Sequence, residues 1–279
     1  MKKLHLIAFI ALLFTTLLSA QKKEKIKGSK VVTAATLAVQ PFTILEVEDN
    51  IEVYLVKGDM QSVEVECDDN LHDIIKADIS DSTLRLHTTK LITSAKQIVV
   101  RLTYTPSLKS ITAKNESVLY AIKDLELDTI SIKNVDYSKS MLNVKSKHFS
   151  LSMNDKTKAE LNVKSDSTAI VLSKNADLKA LIASPAVKLD MYQKTTATIE
   201  GDAINAIIRV DNNAEYNGKK FTAKSLDFTA ESYTKNVIMV SESLSFSGSG
   251  KSTTEVYGNP TIITVKKLKD SAIILKKEL

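Results

Sequence analysis

The sequence predicts an all-β protein whose larger part is a parallel β-helix or solenoid-like stack. Short runs of alternating apolar and polar residues, the pattern of half-buried strands, recur throughout the chain. No apolar stripe has the length and 3.6-residue period of a helix. Turn-forming residues recur roughly every 20 positions, a spacing typical of stacked solenoid rungs. They are Asn115, Asn134, Asn154, Asn175, Asn212, Asn236 and Asp270, with Lys194 and Gly250 at the two remaining intervals.

Residues 1–20 have the features of a secretory signal peptide. Lys2 and Lys3 precede an uncharged, largely apolar stretch, and Ala20 supplies the small residue of a cleavage site. An N-terminal membrane anchor is the rival interpretation, but the apolar stretch is shorter than the ~20 residues that a bilayer requires. We therefore expect a mature chain without a transmembrane segment, exported to the periplasm or the cell surface.

Residues 21–41 form a lysine-rich lead that we expect to be partly disordered. Removing the signal peptide removes two lysines and no acids, so the net charge falls from +5 to +3. Most of the basic residues are lysines interspersed with acids, whereas nucleic-acid-binding proteins favour arginine and a clustered basic face. The composition therefore argues against a nucleic-acid partner.

Residues 42–107 are predicted to form an N-terminal β region that contains a hairpin. Two alternating runs, 51–55 and 63–67, flank the turn Lys57-Gly58-Asp59, which is the usual signal of paired antiparallel strands. Cys67 lies on the apolar face of the second run, so we expect a buried structural thiol. A single helical turn is expected after Asp69, and Pro106 marks the end of the region.

Residues 108–279 are predicted to form the solenoid rungs. Each rung is too short to bury its own apolar face, so the stack is the cooperative unit. The inward positions are expected to include Ile111, Leu142, Leu161, Ile204, Ile207, Ile208, Ile263, Val265 and Ile273.

The order of these segments resembles the auto-transporter adhesin family defined by the head GIN domain. The resemblance covers residues 42–276. It is carried by the order and spacing of the segments 42–47, 51–58, 63–71, 84–86, 247–250 and 256–260. It implies an exported, all-β, solenoid-like protein. The chain departs from the family pattern at Asp49-Asn50, where glycine is usual.

The sequence predicts no catalytic, cofactor or metal site. His72, His87 and His148 show no metal-ligand spacing, and no Gly-x-Ser-x-Gly nucleophile motif is present. The best enzyme alternative is a polysaccharide lyase, because β-helices host such enzymes and acids cluster at 64–69. We expect those acids to be outward-facing strand residues and strand-end caps.

The function that the sequence favours is therefore that of an exported, non-enzymatic adhesin or binding scaffold of the bacterial cell envelope. Its partner is expected to be an envelope glycan or protein; a regulatory domain acting through protein partners is a third possibility. Tyrosine is the available contact residue, since the chain contains no tryptophan. The candidate ligand-facing residues are Tyr192, Tyr216, Tyr233 and Tyr257, against the alternative that each shields the core.

Overall fold

The computed structural model describes residues 23–278, so the predicted signal peptide and its cleavage site lie outside the described residues. Within that range no helix could cross a membrane. The strands are β1 (Lys25–Lys27), β2 (Val32–Leu37), β3 (Ile44–Val47), β4 (Glu52–Lys57), β5 (Ser62–Asp68), β6 (Ile75–Ser80), β7 (Thr83–Thr88), β8 (Leu91–Ser94), β9 (Ile98–Tyr104), β10 (Ser110–Ala113), β11 (Val118–Asn134), β12 (Lys139–Met153), β13 (Lys158–Leu172), β14 (Asp177–Ala183), β15 (Ala186–Met191), β16 (Thr196–Val210), β17 (Glu215–Ala230), β18 (Lys235–Gly248), β19 (Thr253–Tyr257), β20 (Ile262–Leu268) and β21 (Ile273–Lys276).

The strands form a β-solenoid of about nine turns, which confirms the predicted fold class. Each rung contributes one segment to each of two facing layers. Sheet 1 runs in the order β2, β5, β9, β4, first half of β11, first half of β12, first half of β13, β14, first halves of β16 to β18, β19, β21. Sheet 2 runs in the order β6, β7, β3, β10, second halves of β11 to β13, β15, second halves of β16 to β18, β20.

The core lies between the two sheets. Strand alternation sends every second side chain inward, and parallel pairing in register stacks it on its equivalent in the next rung. Leu142 pairs with Leu161, for example, and Phe149 with Thr168. Ile111, Leu142, Leu161 and Ile208 are buried as expected, but Ile204 and Ile207 are 50% and 56% exposed because their neighbours Ala203 and Ile208 take the inward positions.

The two ends of the stack differ. At the N-terminal end the edge strands are the antiparallel β2 and β6, and β1 pairs with β8 beside them. At the C-terminal end Ile263, Val265 and Ile273 are each about half exposed, because no rung within residues 23–278 packs on β20 and β21 from that side. The predicted lead, of which 23–41 are described, contains β1 and β2 rather than irregular chain only.

The N-terminal region contains a hairpin, but the sequence predicts the wrong pair of strands for it. The runs 51–55 and 63–67 form β4 and β5, but β9 lies between them, parallel to β4 and antiparallel to β5. The hairpin of this region is instead β6–β7, whose turn residues Asp81 and Ser82 have φ of 49° and 65°. Positive φ at both central residues is the type I′ geometry that matches strand twist.

A column of four-residue corners, here named the turn column, connects sheet 2 to sheet 1 along one side. Its corners begin at Glu48, Lys114, Val135, Asn154, Ser173, Tyr192, Asp211, Glu231, Ser249 and Lys269. The predicted tips Asn115, Asn175, Lys194, Asn212, Gly250 and Asp270 all lie in corners with positive φ. Asn134 and Asn236 do not: both are buried strand residues whose amides contact Ser140 and Thr254, respectively.

Gly201 is one position where the solenoid requires glycine. Its φ is +110°, and an added Cβ would lie 2.0 Å from the carbonyl oxygen of Ile182 on the next strand. We expect Gly201→Ala to lower the free energy of unfolding by about 2 kcal/mol, from backbone strain and overpacking together. Urea denaturation measures this loss. An equal loss in Ala203→Gly, where φ is negative, would instead indicate general sensitivity of the strand.

Candidate functional site

A broad, largely apolar groove of about 980 Å³ lies on the outer surface of sheet 1. It lies where β9, β4 and β11 run side by side, between the N-terminal strands and the regular rungs. The inward residues of these strands, such as Val53, Leu55 and Val100, are buried in the core. Alternation therefore turns the intervening residues outward, and these form the floor of the groove.

The centre of the floor is a pair of stacked tyrosines. Tyr54 of β4 and Tyr120 of β11 are in register, with ring centroids 4.6 Å apart and ring planes 14° from parallel. Arg101 of β9 is the register partner of Tyr54 on its other side. Burial raises the pKa of Tyr120, and the neighbouring Glu52 carboxylate adds to that effect. The pair is thus a partly desolvated platform, and the Tyr120 hydroxyl remains protonated at neutral pH.

One wall of the groove is a bulge in β11. The pairing of β11 with β12 breaks between Ala121 and Leu125, so the segment 122–124 leaves the ladder. Ile122 is thereby 75% exposed and stands beside Val56, which is 47% exposed. Two large apolar side chains that face water side by side mark this surface as one suited to a partner.

Two polar side chains hold the bulge in place. The amide of Asn143 donates to the carbonyl oxygen of Ile122 over 2.7 Å. The buried Tyr104 hydroxyl accepts the N–H of Glu126 over 3.0 Å and donates to the carbonyl of Asp124. Burial raises the pKa of Tyr104, so this hydroxyl stays a donor at physiological pH. The wall is therefore a built feature of the solenoid.

Charged residues surround the apolar floor. Lys57 lies 2.7 Å from Glu126, and this hydrogen bond raises the pKa of the lysine and lowers that of the glutamate. Arg101 has its nearest carboxylate, that of Glu66, at 4.0 Å. Lys123, on the bulge, belongs to none of the ion pairs formed by residues 23–278.

The four tyrosines proposed from the sequence do not share a face. Tyr192 and Tyr233 lie in the turn column, where Arg209 and Lys251 sit over their rings at 5.7 and 5.3 Å. Tyr216 is 2% exposed and packs inside against Phe228, and Tyr257 is 9% exposed beneath Lys219. Burial raises the pKa of Tyr216. Only Tyr233, at 59%, is freely exposed.

The acids of the lyase alternative do not form one cluster: Glu66 lies 4.0 Å from Arg101 at the groove, whereas Asp68 is held by backbone groups at the end of β5. The Asp68 carboxylate is buried and accepts the backbone N–H groups of Lys30, Lys96 and Gln97. Burial opposes its ionisation, but these hydrogen bonds outweigh that effect and lower its pKa. The Asp68 carboxylate thus holds the loops that contain Lys30 and Lys96 against the end of β5. Among residues 23–278 no group of His, Cys, Asp and Glu has the geometry of a metal site.

The single cysteine and the histidines also have structural positions. Cys67 is buried, and desolvation raises its pKa to about 11, as expected for a structural thiol. His72 follows the 3-10 helix that spans Asp69–Leu71, which lies earlier than the helical turn predicted over 71–76. His87 contacts Asp78, and His148 contacts Ser167, at separate places on sheet 2.

A family model described as "Putative auto-transporter adhesin, head GIN domain" matches residues 41–260. The chain belongs to this family. The resemblance drawn from the sequence is therefore confirmed. A search of curated proteins finds no match.

Solved structures from two Parabacteroides species share the fold of this head GIN protein. A "putative adhesin" from Parabacteroides merdae ATCC 43184 has 15% identity and a TM-score of 0.67, over 91% of this chain and 98% of its own. A "putative adhesin" from Parabacteroides distasonis ATCC 8503 has 13% identity and a TM-score of 0.67, over 92% and 100%. A "Putative lipid binding protein" from the same strain has 13% identity and a TM-score of 0.61, over 91% and 100%.

The groove lies entirely within the part of the chain that the head GIN family model matches. Its lining residues fall between 54 and 126, whereas β20 and β21 follow the matched range. Sequence reasoning missed this site. The available signal was a break in alternation at Tyr120-Ala121-Ile122-Lys123-Asp124, where the apolar Ile122 falls on the outward phase.

Proposed function

We propose that this head GIN protein is an exported, non-enzymatic adhesin or binding scaffold of the bacterial cell envelope. The groove on sheet 1 carries this proposal, because it combines exposed aliphatic side chains, a stacked tyrosine pair and a braced wall. Such a combination serves recognition, and no constellation of acid, base and nucleophile accompanies it among residues 23–278. The adhesin names of the family and of two similar structures agree with it.

The proposal includes export through a signal peptide cleaved after Ala20. The basic start and apolar stretch of residues 1–20 support this part, as does the adhesin character of the family. A solenoid suits an exposed position, because its stacked rungs give a rigid, extended body with long faces open to partners. The expected partner is an envelope glycan, lipid or protein that meets the groove face.

Localisation is tested by shaving intact cells with protease, using a tagged copy and a periplasmic marker. We expect a mature N-terminus at Gln21 and digestion of the tagged chain while the marker stays intact. Digestion would place the chain on the surface, and protection would restrict its partners to the periplasm. An unprocessed chain in the cytoplasm would contradict export.

Adhesion is tested in a deletion strain that expresses variants of the chain. We expect wild type to restore attachment, and the double variant Tyr54→Ala, Tyr120→Ala to reduce it at least about tenfold, because the platform is lost. Tyr137→Ala is the matched control, since this tyrosine is 52% exposed but lies in the turn column. Equal attachment by both variants would remove the groove from the proposal.

A further inference from the structure

We propose that the groove on sheet 1 binds a free long-chain fatty acid, with the aliphatic chain along the floor and the carboxylate at the rim. This inference deepens the proposed function and rests on the groove being its recognition surface. It names a ligand class from the chemistry of the lining residues.

The lining suits an aliphatic chain. Val56 of β4, Val99 of β9 and Ile122 of the bulge are aliphatic, and with Tyr54 and Tyr120 they make a continuous apolar surface. The exposure of Val56 and Ile122 means that a ligand would remove much apolar surface from water. A volume of about 980 Å³ is within the range of pockets that enclose small ligands.

The rim favours a negatively charged head group. Three cations, Lys57, Arg101 and Lys123, line the groove with two acids, Asp124 and Glu126, so the lining carries a net charge of 3 − 2 = +1. Glu126 is already engaged by Lys57 at 2.7 Å. Lys123 and the weakly paired Arg101 are therefore the cations most available to a carboxylate.

A sugar fits these groups less well than a fatty acid does. Sugar-binding aromatics present an open ring face, whereas Tyr54 and Tyr120 cover one face of each other. The walls are aliphatic and offer few uncharged hydrogen-bonding groups; Gln97 is the only amide side chain among the lining residues. A hydrated glycan would leave hydroxyl groups without partners against Val56 and Ile122.

A single chain also fits better than a bilayer surface. The bulge at 122–124 carries Ile122, which is 75% exposed, whereas Tyr54 and Tyr120 beside it are half-buried, so the floor is more enclosed than the wall. A flat membrane would meet the wall before it reached Tyr54, whereas one extended acyl chain can lie along the floor. The geometry thus selects a free amphiphile.

The test is isothermal titration calorimetry of the purified, delipidated mature chain with palmitate below its micellar concentration. We expect saturable one-to-one binding that Ile122→Asp weakens at least about tenfold, because the substitution places a charge in the apolar wall. Leu181→Asp is the matched control: this side chain is 48% exposed on β14 of the same sheet but lies outside the groove, and its affinity should equal that of wild type. Circular dichroism confirms that both variants fold.

The contact between the carboxylate and Lys123 is tested by comparing palmitate with hexadecanol, which lacks the charge. Lys123→Glu should weaken palmitate binding about threefold to tenfold, as expected for loss of one charge-assisted contact, and should leave binding of hexadecanol unchanged. Equal affinity of wild type for palmitate and hexadecanol would overturn the ionic contact at the rim.

Three results would overturn the inference as a whole. They are absence of palmitate binding, equal effects of Ile122→Asp and Leu181→Asp, and binding of oligosaccharides or anionic vesicles without binding of free palmitate. Because the calorimetric assay uses purified protein, absence of palmitate binding would not affect the conclusions of the export and adhesion experiments. A cytoplasmic chain that binds palmitate would overturn the proposed function and leave this inference intact.

Discussion

Replacing Phe228 with alanine is expected to lower the free energy of unfolding by about 3–5 kcal/mol. Phe228 is fully buried on β17, and its ring stacks on Phe246 of the next rung at 6.4 Å. It also meets Tyr216, which projects from the opposite sheet, at 6.0 Å. Alanine would leave a cavity that touches two rungs and both sheets, and parallel strands fixed in register cannot collapse to fill it.

The loss at Phe228 is measured by urea denaturation followed by circular dichroism. Thr222→Ala is the control, because this side chain is exposed on the same strand and should change stability by less than about 0.5 kcal/mol. A loss below about 1 kcal/mol for Phe228→Ala would show that the interior between the sheets is loosely packed, contrary to the stacked geometry.

The sequence predicts which residues of a strand face the core and which face solvent, because this depends only on local alternation of apolar and polar residues. Residues such as Val53, Leu142 and Phe246 are buried as their phase predicts. The strand neighbours could not be read in the same way. Alternation in 51–55 and 63–67 gave the correct faces, but the partner of both strands is β9, which begins only at Ile98. A local turn containing Gly58 cannot reveal a strand that inserts from a distance.

The turn column shows why corner positions were only partly predictable. Asn and Asp tolerate left-handed backbone geometry, so they were reasonable markers of corners. In the structure, Tyr137, Lys156 and Gln193 also have positive φ, between 58° and 65°. The stacked rungs fix the shape of each corner, and the strain of about 1 kcal/mol per residue is offset by packing elsewhere. Because the stacking of the rungs, and not the residue type, sets the corner positions, Asn134 and Asn236 lie in strands although asparagine favours corners.

The groove depends on features that composition and spacing do not contain. Tyr54 and Tyr120 are 66 positions apart in the chain and meet only because β4 and the first half of β11 pair in register. The wall depends on Tyr104 and Asn143, which come from two further strands. A break in alternation indicates a bulge. The side chains that lie next to the bulge depend on the order of strands in the sheet, which the alternation does not reveal.

Replacing Glu48 with glutamine is expected to lower the free energy of unfolding at pH 7 by up to about 3 kcal/mol. The carboxylate is 6% exposed at the first corner of the turn column. Arg85 donates to both of its oxygens, over 2.8 and 3.0 Å, and Lys114 lies 3.0 Å away. The Arg85 hydrogen bonds lower its pKa from 4.5 to about 2 against the opposing effect of burial, and Lys114 adds to them. Because the Arg85 side chain is 47% exposed, solvent screening makes 3 kcal/mol an upper value.

The pH dependence of this loss identifies its origin. Between about pH 2 and pH 4.5 the folded state holds fewer protons on Glu48 than the unfolded state does, so the contribution of this group rises with pH over that window. It is complete above about pH 4.5 and disappears as the pH falls to about 2. The difference in stability between wild type and Glu48→Gln, measured by urea denaturation from pH 7 to pH 2, should therefore shrink as the solution is acidified. Glu46→Gln is the control, since Glu46 meets only Lys114, at 3.1 Å, and is about one-third exposed. A difference that stays constant with pH would mean that Glu48 acts through packing rather than through its ion pair with Arg85.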